Sequence, residues 1–321
     1  MARGNFDHLV TATHDGKTAS ELFDAGVDAL HGVSAGDKAH LQDAFGISTI
    51  GDLASSRFFR TASSIAEEAA DTGHDRGPDV AWSRLFAAAP LAVYQAHPND
   101  FRLDFGPVFY RGRLDGTARV LVVGQDPAAN ELVGHRAFVG ASGQRAQGFL
   151  RRIGIRRDYV MMNTFLYPVF GQFFGSLAAL TEHPDILGFR NALLDRIRGE
   201  NPLEAVITVG NAARDAVERW SGANGVPTRH LTHPSALDHA ALLANWNEGL
   251  AALRGIVEPE AGVPADDASY GSDWVDLDHE PIPRRDLPFG VPPWHGEGSH
   301  ARRGRNPDNS TNPKEIIWEA P

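Results

Sequence analysis

The sequence predicts an α/β fold: a mainly parallel four-stranded sheet with helices crossing between its strands. Three observations predict it. Four short apolar runs recur along the middle of the chain: VLVV at 120–123, YVMM at 159–162, AVITV at 205–209 and the weaker RHLT at 229–232. Helical patterns occupy 144–153, 186–198, 212–220 and 240–253, mostly between those runs. Each run stops at a residue suited to a turn: Gly124, Asn163, Gly210 and His233. Runs too short for helices, alternating with helical periods, are the pattern of parallel strands joined by crossover helices.

The flanks read differently. Residues 1–80 predict a helical N-terminal segment, with a helix–turn–helix character over 32–54 and Phe45-Gly46-Ile47 at the turn. This stretch is similar to helix-hairpin-helix modules, whose turn amides can hold a DNA phosphate; scaffolding and protein contact are the alternatives. Residues 81–256 form the expected catalytic domain. Residues 257–321 are rich in Pro, Gly, Asp and Ser without a helical period, and predict an irregular, extended or disordered tail. Trp274, Phe289, Trp294 and Trp318 are the residues that would dock parts of it.

The composition narrows the chemistry. The chain has no cysteine, which excludes disulfides, thiolate-held zinc, iron–sulfur clusters and a cysteine nucleophile. No His cluster has ligand spacing, so neither a metal nor another cofactor is expected. No apolar run is long enough for a membrane-crossing helix, and no membrane partner is expected. The net charge of −11 argues at first against a polyanionic partner. Its distribution reverses that reading: residues 1–80 carry −7 and 257–283 carry −8, whereas 81–256 carry +3.

Because strands of a parallel sheet end on one side, polar residues just beyond them converge on one crevice. Asp126 follows the first run in Gly124-Gln125-Asp126-Pro127, a carboxylate in a tight turn. Asn163 closes the second run, and its amide offers the donor and acceptor needed to read a pyrimidine edge. His233-Pro234-Ser235 follows the fourth run; an imidazole can donate to a leaving group that gains negative charge, and a Ser hydroxyl suits a phosphate oxygen. Phe138, within Gly134-His135-Arg136-Ala137-Phe138-Val139-Gly140, offers a face on which a base can stack. Each residue alone also fits a turn or core role.

Taken together, these motifs resemble the uracil-DNA glycosylase superfamily over roughly residues 85–254. Gly124-Gln125-Asp126-Pro127 is similar to motif A of the family 1 enzymes, with Ala128 where that pattern continues with Tyr. The stretch from Glu131 to Gly143 resembles the family 4 framework, and His233-Pro234-Ser235-Ala236-Leu237 is similar to motif B. The combination looks like a hybrid class such as the rhizobial-type glycosylases.

The resemblance implies a three-layer sandwich and monofunctional excision of uracil from single- or double-stranded DNA, initiating base excision repair. It also implies roles. Asp126 orients water and stabilises the cationic sugar, Gln125 shapes that loop, Phe138 stacks on the extruded base, and Asn163 reads it. His233 bonds O2 of the leaving base, Ser235 contacts a phosphate, and Leu237 is the wedge that fills the vacated stack. Ala128 leaves room beside C5, so 5-substituted uracils and xanthine are expected substrates too. The expected location is the cytoplasm, on the nucleoid.

Arginines beside the motif A loop supply a candidate DNA track. Arg136, Arg145, Arg151, Arg152, Arg156 and Arg157 are opposed over that stretch only by Asp158. Two other readings stay open: an enzyme acting on free nucleosides or nucleotides, which needs no such track, and a non-catalytic DNA-binding module.

Lys17, Lys38 and Lys314 are the only lysines, so the span 81–256 holds no amine for a Schiff base with the sugar. The expected product is an intact abasic site. Borohydride added during turnover should trap no covalent protein–DNA adduct, as read by a gel shift; a trapped adduct would refute a monofunctional reaction.

Overall fold

The computed structural model describes residues 6, 9–59, 61–62, 73–104, 106–170 and 175–288. It divides into two compact units, one of residues 1–71 with 78–87 and one of residues 72–77 with 88–321.

The first unit is helical. Helices α1 (Ala19–Phe23), α2 (Ala35–Phe45) and α3 (Ile50–Ser55) each begin with a capping box, formed by Thr18 with Glu21, Ser34 with Asp37 and Thr49 with Asp52. Helix α4 (Val80–Ala87) buries Trp82 and Phe86. The α2–α3 turn uses its amides internally. Gly46 and Ile47 donate to Gln42 and Leu41 carbonyls, and Ser48 and Thr49 donate to Asp52 Oδ2. The hairpin expected from sequence forms, but its turn presents no spare N–H to a phosphate.

The second unit carries the sheet. Strands β1 (Arg111–Gly112), β2 (Val120–Gly124), β3 (Tyr159–Asn163), β4 (Ala205–Val209) and β5 (Thr228–Leu231) lie in the order β1-β3-β2-β4-β5. The four expected strands are parallel; a two-residue antiparallel edge, β1 on β3, makes the sheet five-stranded. Helices follow in the order α5 (Leu91–Gln95), α6 (Ala129–Gly134), α7 (Ala141–Arg152), α8 (Ser176–Leu180), α9 (Pro184–Glu200), α10 (Asn211–Glu218) and α11 (His239–Leu253). Alternate strand residues Val120, Val122, Met161, Ile207 and Val209 pack with Phe149 and Leu150 of α7 and Trp246 and Leu250 of α11. Leu121, Val123, Val160 and Met162 point to the opposite face and are equally buried. A sheet covered on both faces explains why these strands read as unbroken apolar runs.

The segment after α11 is irregular, as its composition predicts, but it is not an extended tail. Up to Leu287 it packs into the core: Tyr270, Trp274, Asp278, His279, Ile282 and Asp286 are buried. Trp274 stands edge-on to Trp246 and Tyr270, with ring centroids 5.1 and 5.6 Å away. The acidity of this segment is complementary to arginines of the sheet domain. Asp278 pairs with Arg152 at 2.7 Å, and Asp286 pairs with Arg111 and Arg113 at 3.1 Å each. Phe289, Trp294 and Trp318 lie outside the described residues.

Arg111 and Asp286 are both fully buried. The Arg111 guanidinium also donates to the Ala137 carbonyl, Gln147 and Tyr159, and Tyr159 donates in turn to Asp286. A buried charge stripped of its partner is far costlier than the intact pair is favourable. Asp286→Ala should therefore destabilise the protein by roughly 3–5 kcal/mol in urea unfolding. A loss below about 1 kcal/mol, the range of exposed pairs, would refute this assignment.

Candidate functional site

The parallel register levels the strand ends. Gly124 and Asn163 are direct partners across β2 and β3, so the loops that follow leave the sheet side by side. They stay joined: Thr164 N–H donates to the Gly124 carbonyl and Phe165 N–H to that of Gln125. At this edge a cleft of about 970 Å³ opens, large enough for a nucleotide. Gln125, Asp126, Ala128, Phe138, Asn163, His233, Ser235 and Leu237 all line it.

Residue 124 has to be glycine. A Cβ there would collide with the Phe138 ring and Asn163 Oδ1, which both close over the bare backbone. Phe138 reaches this place through a left-handed backbone conformation, φ 58°, which is costly for an aromatic residue. Its surroundings enforce it. Glu131 accepts from Val139 N–H and Gly140 N–H with one oxygen, both at 2.8 Å, and from Ala128 N–H with the other at 3.0 Å. This buried carboxylate thus ties the Asp126 loop to the Phe138 loop. The backbone of Phe138 also lies where a side chain at Gly143 would stand.

Asp126 is held at both oxygens. Gln125 Nε2 donates to Oδ1 and Val169 N–H donates to Oδ2, each at 2.9 Å. Burial nonetheless outweighs these bonds and raises its pKa to about 6. His233 is open to the cleft, yet the protein around its ring displaces much of its hydration. That desolvation, with the nearby Arg145 cation, lowers its pKa. The Ser235 N–H donates to His233 Nδ1 at 3.2 Å, and Ser235 Oγ lies 2.7 Å from the same atom. A backbone N–H can only donate, so Nδ1 is the acceptor and the neutral ring carries its proton on Nε2. Leu237 stands on the cleft wall 98% exposed. Asp238 next to it caps α11 by accepting from Ala241 N–H.

Residues 111–253 match the family model described as the uracil DNA glycosylase superfamily. Those residues belong to that superfamily. No curated protein matches the chain. The superfamily domain spans the whole sheet and every loop that lines the cleft, and it ends with α11, before the irregular C-terminal segment.

Part of the arginine track expected from sequence is taken up inside the protein. None of Arg151, Arg152, Arg156 and Arg157 lines the cleft. Arg152 is buried against Asp278 and the Tyr270 ring, and Arg151 donates to the Pro264 carbonyl. The backbone N–H groups of Arg156 and Arg157 bind Glu260. Arg136 pairs with Asp75, and Arg145 is buried behind His233. For Arg151 and Arg152 the distance from the cleft follows from helix length. Helix α7 starts at the cleft with Ala141 and Ser142, and its last arginine lies about 16 Å further on at 1.5 Å per residue. A phosphate contact for Arg152 is thus replaced by a structural ion pair.

Glu131, Asn211 and His230 of the domain also line the cleft and were not singled out from sequence. Asn211 follows Gly210 after β4, the same placement that marked Asp126. Glu131 stands three residues after Ala128, the spacing of a capping box. His230 sits inside β5 and looks like a strand residue; its Nδ1 lies 3.1 Å from Thr208 Oγ1.

The raised pKa of Asp126 has a consequence for stability. The folded state binds this proton more tightly than the unfolded chain, so the Asp126 contribution is favourable below about pH 4 and is lost as pH rises through about 6. Asp126→Asn should accordingly be more stable than the parent at pH 8, by roughly 1–3 kcal/mol, with the gap closing toward pH 4. Thermal or urea melts at the two pH values check this, and a variant less stable at pH 8 would refute the desolvated carboxylate.

Proposed function

We propose that the chain is a monofunctional DNA glycosylase that hydrolyses the N-glycosidic bond of uracil, leaving an abasic site for base excision repair. The observation that supports this most is the opposition within one cleft of a held carboxylate, Asp126, and an imidazole whose Nε2–H is available, His233. Heterolysis of the C1′–N1 bond leaves positive charge on the sugar and negative charge on the base. Asp126, ionised at neutral pH, stabilises the sugar cation and takes a proton from the water that adds to C1′. His233 donates from Nε2 to O2 of the leaving base. Kept neutral by desolvation and by Arg145, it acts as a hydrogen-bond donor without needing to be charged.

Phe138, closed over Gly124, stacks on the extruded base, and Asn163 beside it reads the base edge through its amide. Gln125 fixes the carboxylate. Ser235 contacts a phosphate as well as setting the His233 tautomer, and the exposed Leu237 enters the stack as the wedge. Ala128 is exposed on the cleft wall, so the space beside C5 is open, and the substrate range extends to 5-hydroxymethyluracil and xanthine. Cytosine is rejected because its amino group places a donor where uracil has O4.

The test is a panel of single- and double-stranded oligonucleotides, each with one altered base, alongside free deoxyuridine. Wild type should release uracil and the 5-substituted bases from DNA and leave deoxyuridine intact. Asp126→Asn and His233→Ala should each lower turnover by about 100- to 1000-fold while remaining folded. Ala128→Tyr should narrow the range toward uracil. Cleavage of deoxyuridine with intact oligonucleotides would replace this reading by a nucleoside hydrolase, and equal base discrimination by Ala128→Tyr would remove residue 128 as the gate.

A further inference from the structure

Two donors grip the backbone on either side of His233. Trp246 Nε1 donates to the Thr232 carbonyl at 2.9 Å, and Arg145 Nη1 donates to the Pro234 carbonyl at 2.8 Å. The first donor comes from α11 and the second from α7, so the loop is pinned from two helices. Both donors rest on one residue. Trp274 meets the Trp246 ring edge-on at 5.1 Å, and the Arg145 guanidinium lies 4.4 Å from the centroid of the Trp274 ring. Beside it, His279 accepts from Arg145 Nε at 3.0 Å. Trp274 and His279 are 2% and 4% exposed. Neither belongs to the stretch that matches the superfamily, which ends at residue 253.

We propose that the C-terminal segment carrying Trp274 and His279 is a positioning element of the cleft, acting through Arg145 and Trp246 to fix the loop that holds His233. Arg145 is the positioning residue in direct contact with that loop, and Trp274 is the wall against which both donors are set. The mechanics follow from the bonds. An arginine has three nitrogens in a rigid plane, so fixing Nε on His279 and the flat face on Trp274 fixes the direction in which Nη1 points. Because His279 Nε2 accepts from a cation's N–H, that nitrogen is unprotonated, and His279 Nδ1 faces the Val275 carbonyl at 3.3 Å. Asp278 and Asp273 of the same segment also act on the Arg145 charge. Arg145 is the charged group that acts on the His233 ring beside desolvation, and Asp126, Glu131 and His230 line the same cleft. A loop of the superfamily domain is thus set by residues that lie beyond it.

The inference rests on the assignment of His233 to the reaction, and its test keeps the two apart by adding a readout that needs no turnover. Full-length Arg145→Met keeps an unbranched stem and removes the donors and the charge; Trp274→Phe keeps an aromatic wall of smaller area. Arg145→Met should lower kcat on a uracil oligonucleotide by roughly tenfold to a hundredfold with KM little changed, the cost of a misplaced catalytic group. Trp274→Phe should fall between it and wild type, and Arg145→Lys should recover part of the loss. In NMR titrations the His233 ring should move to a higher pKa in Arg145→Met and stay near the wild-type value in Trp274→Phe. If Arg145→Met is fully active and His233 titrates as in wild type, the proposal is overturned. If neither wild type nor any variant acts on DNA, the glycosylase reading falls, and the backbone amide shifts of Thr232, His233 and Ser235 decide the positioning: they should move in both Arg145→Met and Trp274→Phe, and unmoved shifts would overturn it.

Discussion

The register between β2 and β3 sets Gly124 opposite Asn163, and the absence of a side chain at 124 lets Phe138 and Asn163 close on one point. The rest of the cleft depends on that approach. It requires Phe138 to hold a left-handed backbone, which a free loop would not keep. Glu131 supplies the restraint, taking three backbone N–H groups on one buried carboxylate and coupling the Asp126 and Phe138 loops as a single body. A preorganised site of this kind has its reorganisation cost met during folding, before any substrate arrives.

The electrostatics of the cleft follow from partial desolvation. Asp126 is driven upward and His233 downward, which is the same physical effect acting on an acid and a base. At neutral pH the Asp126 carboxylate remains ionised and the His233 imidazole neutral, so the cleft presents an anionic acceptor and an uncharged donor. The hydrogen bond from Ser235 N–H to Nδ1 then decides which nitrogen of His233 faces the ligand.

Charge segregation along the sequence has a structural explanation. The acidic segment after residue 257 supplies partners for arginines of the sheet domain, Asp278 for Arg152 and Asp286 for Arg111 and Arg113, while Glu260 accepts from the backbone N–H groups of 156–158. Buried guanidinium groups demand carboxylates or aromatic faces, and this segment brings both. Part of what resembled an excess of positive charge for a polyanion is internal neutralisation, Arg152 by Asp278 and Arg136 by Asp75.

The sequence by itself determined the sheet and the strand-end residues. Apolar runs broken by Gly124, Asn163, Gly210 and His233 are local signals, and the rule that parallel strands end on one side turns local positions into a shared crevice. Asp126, Asn163 and His233 were legible for that reason, and Phe138 through the stretch 134–140 instead. Glu131, Asn211 and His230 were less so, because a capping residue, a turn asparagine and a strand histidine look alike wherever they occur. The two-residue strand β1 left no periodic trace at all. The fate of Arg152 and the docking of Trp274 were decided only by tertiary structure: composition reports that a segment lacks a helical period, not whether it has a surface to lie on. Asp278 and Asp286 find their arginines more than a hundred residues away in sequence, and no local pattern encodes a contact whose partners meet only after the sheet has formed.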